Sequence, residues 1–163
     1  GGIKLKAAII MGSISDREIA EKAKKIFDKF GVETHMEVIS AHRTPKRAFE
    51  FAESAEKDGI EVIIAIAGKA AHLGGVIAAN TIVPVIGIPA KTSVMGGMDS
   101  LLSVVQMPKG IPVATVAIDG GENAALLAIS MLSLKYDELK NKLVDYRKEL
   151  QDQVVEMNKE LEA

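Results

Sequence analysis

Cysteine and tryptophan are both missing from this 163-residue chain. Without cysteine there can be no disulfide, no thiolate metal site and no cysteine nucleophile. Aromatic residues make up only 4% of the sequence, so a core drawn from its 48% hydrophobic residues is an aliphatic one. Charge is nearly balanced, and a net −2 leaves no electrostatic footprint for nucleic acid or an anionic membrane. No apolar run approaches the roughly 18 residues of a membrane span, and no charged-then-apolar signal segment opens the chain. Gly1-Gly2 stands in place of an initiator Met and is expected to lie outside the folded domain. These features predict a cytoplasmic protein. The length predicts one domain over residues 3–163, able to bury about 70% of its extended-chain surface.

What is present is an alternation of strand-like and helix-like segments with short connections, the signature of βαβ units and a parallel sheet. Ala7–Met11 reads as a buried strand. Ser15 with Glu18 forms a capping box for a helix through Phe30, and Gly31 ends it as a left-handed C-cap. Glu33–Ile39 alternates like a strand near the sheet edge. Thr44 and Pro45 then start a helix that closes at Gly59. Val62–Ala67 is an uninterrupted apolar strand, expected to be buried on both faces. A small-residue helix over 70–80, a short strand over 85–88 and a mobile covering segment over 90–98 follow. Asp99 caps a short helix before Pro108, Val113–Ile118 is a fifth strand, and a helix from Asn123 to Leu134 completes the α/β core. Outside that pattern, Leu139, Leu143, Tyr146, Leu150, Val154, Met157 and Leu161 recur at steps of three and four. They define a long amphipathic helix over 137–161. It can pack on its own domain or reach onto a second subunit.

In an open parallel sheet the loops after the strands all emerge at one edge. Three such loops carry most of the chemistry. In the first, Ser13, Ser15 and Asp16 sit where a strand turns into a helix. Free N–H groups there suit a phosphate, the hydroxyls add donors, and a carboxylate is better placed to accept from ribose hydroxyls. Taken alone, ordinary capping accounts for the same residues. In the second, Thr44 and Pro45 explain the helix start, which leaves Ser40, His42 and Arg43 over. Arg suits bidentate phosphate recognition, and His is the side chain most easily poised for proton transfer near neutral pH. The third, Gly68 to Gly75, brings backbone close to something, yet matches neither a Walker loop nor GxGxxG. His72 there reads by itself as a core histidine, and His35 receives no role.

Four segments together make a resemblance. Met-Gly-Ser-x-Ser-Asp (11–16), Ser-Ala-His-Arg-Thr-Pro (40–45), Ala-Gly-x-Ala-Ala-His-Leu (67–73) and Asp-Ser-Leu-Leu-Ser-x-Val-Gln-Met-Pro (99–108) resemble the N5-carboxyaminoimidazole ribonucleotide mutase family. This is the catalytic-subunit family of phosphoribosylaminoimidazole carboxylase. Residues 111–118 and 123–128 continue the match, which spans about residues 7–134. Lys69 and Gly74 depart from the Gly and Pro of the commonest third loop, and Arg17-Glu18 replaces a frequent Trp-Pro.

The resemblance implies an isomerase of purine synthesis that moves a carboxylate from an exocyclic nitrogen to ring carbon C4 of an aminoimidazole ribotide. It implies His42 as the acid/base, with neither metal nor cofactor required. Ser13, Ser15, Ser40 and Arg43 would hold the phosphate, and Asp16 the ribose. Gly68, Ala70, His72 and Leu73 would surround the carboxylate and transient CO₂. It further implies a homo-octamer working downstream of an ATP-dependent synthetase, with no nucleic-acid or membrane partner. Two alternatives stay open: direct carboxylation of the unmodified aminoimidazole ribotide by CO₂, and a non-enzymatic flavodoxin-like binding module. The expected fold is a three-layer, flavodoxin-like α/β sandwich with a five-stranded parallel sheet in order 2-1-3-4-5 and an added C-terminal helix.

Overall fold

The computed structural model describes residues 6–163, so Gly1-Gly2 and the first residues of the expected domain lie outside it. Five strands form one parallel sheet: β1 (Lys6–Met11), β2 (Glu33–Val38), β3 (Ile60–Ala67), β4 (Val85–Pro89) and β5 (Ala114–Thr115). Their order is β2-β1-β3-β4-β5, as expected. Between them run α1 (Arg17–Phe30), α2 (Pro45–Ser54), α3 (Leu73–Ala79) and α4 (Met98–Val105). α5 (Gly121–Leu132) and α6 (Asp137–Glu162) follow. The chain divides into two compact units, one running to Ala128 and the other covering Ile129–Ala163. No helix among the described residues is long and apolar enough to cross a membrane.

The central strands are apolar because both faces of the sheet are covered. Ile9, Ile10, Ile63, Ile64, Ile66, Ile86 and Ile88 are fully buried. Ala8, Ile10, Ile63 and Ala65 meet Ala48, Phe51, Ala52, Leu73 and Ile77 of α2 and α3 on one face. α1 contacts β1 and β2, burying Ala20, Ala23, Phe27 and Phe30. Gly31 ends α1 at φ 76°, its N–H reaching back to the carbonyls of Asp28 and Phe27, which is the left-handed cap the sequence predicted. β2, the edge strand, is only half-buried and carries a polar clip. Arg47 of α2 donates to both oxygens of Glu37 at 2.6 and 2.7 Å, and His35 lies 3.0 Å from the same carboxylate. The guanidinium of Arg47 holds the Glu37 carboxyl below its ordinary range, with burial opposing and His35 assisting.

Several boundaries differ from the sequence reading, for local reasons. Ser15 does not cap α1. A 3-10 turn over Ile14–Asp16 comes first, Ser13 accepts from the Ser15 N–H, and Asp16 takes the N-cap position without a side-chain cap bond. α3 begins at Leu73, not Ala70, because the Ala71 and His72 N–H groups bond to carbonyls only two residues back. Asp99 lies inside α4, where it accepts from the Thr92 hydroxyl. β5 is two residues long, although Val116 and Asp119 still donate to carbonyls of Gly87 and Pro89.

Candidate active site

Four of the five strands end beside one another, and their next residues line a single cleft of about 560 Å³. The ladder itself fixes these ends. Gly12 N–H donates to Ile66, Ile39 to Met11 and Ala90 to Ala67, all at 2.8–2.9 Å, so each loop departs from a hydrogen-bonded strand. All ten residues expected from sequence are brought together here. Ser13, Ser15 and Asp16 follow β1, and Ser40, His42 and Arg43 follow β2. Gly68, Ala70, His72 and Leu73 follow β3.

The first loop is ordered by its own hydroxyls. The Ser13 oxygen accepts from the Ser15 N–H at 3.3 Å and from the Ser15 hydroxyl at 3.1 Å. Asp16 is 7% exposed although it lines the cleft. Burial raises its pKa above the ordinary carboxylate value. A hydrogen bond with the Ser13 backbone opposes that shift, and the negative charge of Asp119 adds to it.

The second loop folds around Ser40. Its hydroxyl accepts from the Arg43 N–H at 3.1 Å, and the Arg43 Nε lies 3.4 Å away. Thr44 occupies the N-cap of α2, but its side chain turns back, accepting from the Ser40 N–H and donating to the Ser40 carbonyl. With the loop closed upon itself, His42 and Arg43 project from a fixed base.

The decisive geometry is between loops two and three. His42 Nε2 and His72 Nδ1 stand 3.1 Å apart, with the rings edge-to-face at 86°. Only one of those two nitrogens can carry the hydrogen of this hydrogen bond while the other accepts it, so the tautomers of the two rings are linked. His72, a core histidine by sequence alone, is an exposed partner of the proposed proton carrier. The resemblance placed His72 near the carboxylate, and the contact across 30 residues adds its pairing with His42. Gly74 and Gly75, assigned to the loop by sequence, belong to α3. A Cβ on Gly74 would meet Ala65, Val85 and Val113, so the small residues there bring α3 close to the sheet.

Sequence reasoning gave no site role to Lys69, Lys91, Thr92 or Ser93, all of which line the cleft. The signal for the last three was topological, since the loop after β4 leaves the same sheet edge. The segment expected to be a mobile cover is tied down at its ends. Lys91 N–H donates to Asp119 Oδ1 at 2.8 Å, and buried Ser100 bonds to the Ala90 and Gly97 carbonyls. Its tip, with Val94 and Met95, is exposed.

The family model described as AIR carboxylase matches residues 6–153. The chain belongs to the AIR carboxylase family. Among family members, an N5-carboxyaminoimidazole ribonucleotide mutase of Pyrococcus horikoshii is 57% identical over 94% of this chain and 87% of its own. The protein of the same name from Escherichia coli K12 is 53% identical over 93% and 90%. A crystal structure of Treponema denticola PurE is 30% identical, covers 97% of this chain and 99% of its own, and superposes with a TM-score of 0.88. The similarity to these relatives runs over nearly the whole chain, including all four loops around the cleft.

Proposed function

We propose that this AIR carboxylase family member is an N5-carboxyaminoimidazole ribonucleotide mutase, converting that carbamate to the 4-carboxy-5-aminoimidazole ribotide. The observation that carries the reading is the His42–His72 pair in a cleft that also holds Arg43, Asp16 and the hydroxyls of Ser13, Ser15 and Ser40. That set matches a phosphorylated sugar joined to a base that must exchange a proton.

The chemistry needs one group that gives a proton and takes one back. His42 protonates the carbamate nitrogen, the N–C bond breaks, and CO₂ leaves with the exocyclic nitrogen neutral. The aminoimidazole is then enamine-like, and C4 attacks the CO₂. Loss of the C4 proton to His42 restores aromaticity and the starting protonation state. His72, hydrogen-bonded to the His42 ring, fixes its orientation and tautomer. Ser13, Ser15, Ser40 and Arg43 bind the phosphate. Asp16 accepts from the ribose hydroxyls, and Gly68, Ala70 and Leu73 close around the carboxylate. The enzyme would act in the cytoplasm on the product of an ATP-dependent carboxylation.

An ultraviolet assay without ATP or metal, supplying each substrate separately, tests this. The carbamate should be turned over at low bicarbonate. Turnover of the unmodified aminoimidazole ribotide with CO₂, and none of the carbamate, would assign direct carboxylation instead.

A further inference from the structure

Lys69 holds a backbone conformation that lysine avoids. Its φ of 55° lies in the left-handed region, where a Cβ is disfavoured and glycine is not. Non-glycine residues in such conformations concentrate at functional sites, where the surroundings hold them in place. Here the carbonyl of Lys69 accepts from Ala71 N–H at 2.8 Å, and the preceding Gly68 abuts Ala90 and Thr92. The lysine lines the cleft, three residues before His72 on the same loop. Among the described residues, no carboxylate pairs with its ammonium group.

The charge around the cleft is also lopsided. Arg43, Lys69 and Lys91 face it, against one lining carboxylate, Asp16. Arg43 comes from the loop after β2, whereas Lys69 and Lys91 come from those after β3 and β4. Cations therefore flank both sides of the cleft, which suits a ligand that is anionic at both ends. The phosphate is assigned to the Arg43 side. Of the two lysines, Lys69 shares its loop with His72, which touches His42, so it belongs to the end where the carboxylate moves.

We infer that Lys69 is a specificity-determining residue that binds the carboxylate of the ribotide beside the histidine pair. This rests on the ribotide reading above. Lys69 makes the site discriminate a carboxylated ribotide from its decarboxylated counterpart.

The test is calorimetric binding of two probes, the stable 4-carboxy ribotide and the uncarboxylated aminoimidazole ribotide. Lys69→Met should weaken the carboxylated probe about tenfold or more, the size of a lost charge-assisted contact, and leave the other within about twofold. Lys69→Arg should keep most of the discrimination. Lys69→Gly relieves the positive φ, so discrimination lost with undiminished thermal stability separates charge from folding. Equal weakening of both probes, or of neither, overturns the assignment. Failure of the wild-type protein to bind either ribotide would instead remove the ribotide reading itself, and this inference with it.

Discussion

At the scale of single residues, the two cleft histidines differ in how they are read. His42 stood out in sequence because Thr44 and Pro45 left it unexplained, whereas His72 by itself read as core and entered the site only through the family resemblance; its 3.1 Å contact makes it the partner of His42. That contact depends on two strand ends meeting, which no local pattern encodes. His42→Asn removes the proton carrier and keeps a similar shape. Its turnover should fall by several orders of magnitude while ribotide binding is largely spared, and steady-state kinetics retaining a tenth of wild-type activity would contradict the role. Asp16 makes a pH-dependent prediction. Its pKa in the folded protein lies above the unfolded value, so ionising it in place costs stability. The stabilising influence of its protonated form is complete below the ordinary Asp range and is lost as pH rises through the raised value. Asp16→Asn should therefore melt at a higher temperature than wild type near neutral pH, with the gap closing in acid. Calorimetric melts across that range check it, and a gap that widens in acid would be the wrong sign. The same substitution should weaken ribotide binding.

At the scale of elements, the parts legible in sequence were those whose pattern has one cause. β3 is apolar from Val62 to Ala67 because both its faces are covered, and Gly31 ends α1 because the chain must turn through a left-handed residue. The starts of α1 and α3 were less legible. Ser13 and Ser15 bond to each other in a 3-10 turn, and Ala70 to His72 coil tightly before α3 begins, so good capping residues were spent in loops. Glu37 and Arg47 show the opposite linkage sign to Asp16. The folded-state pKa of Glu37 is depressed, so its contribution is present above the ordinary Glu value and lost as pH falls through the lowered one. Glu37→Gln should thus loosen β2 at neutral pH and make little difference in strong acid, as amide exchange along residues 33–38 would report. Packing gives a larger effect. A Cβ on Gly121 would fall 2.5 Å from the Ile19 carbonyl and 3.2 Å from Lys22 Cβ. Gly121→Ala must push the start of α5 away from α1, and a loss of about 1–3 kcal/mol in denaturant unfolding is expected.

At the scale of the whole molecule, the topology rule did more than any motif. Placing every loop at one sheet edge brought ten residues spread over 13–73 into one cleft before any contact was known. What the rule does not supply is closure. His42 and His72 are exposed, and a transient CO₂ is kept only where water is excluded. We propose that assembly contributes the cover, as a homo-octamer. In α6 the stripe passes from buried Leu139 to exposed Leu150, Val154, Met157 and Leu161. Each large aliphatic residue fully buried is worth about 1.5–3 kcal/mol, so a second copy has reason to cover them. Truncation after Leu134 should break the octamer or yield insoluble protein, with lower activity, as light scattering and assay together would show. A full-length monomer near 17 kDa with full activity would contradict the assembly. The most direct test of the central claim, carboxylate transfer within this cleft, is to supply carbamate labelled with ¹³C at its carboxyl in excess unlabelled bicarbonate. The account predicts a 4-carboxy ribotide that retains most of the label; an unlabelled product, or none, would contradict it.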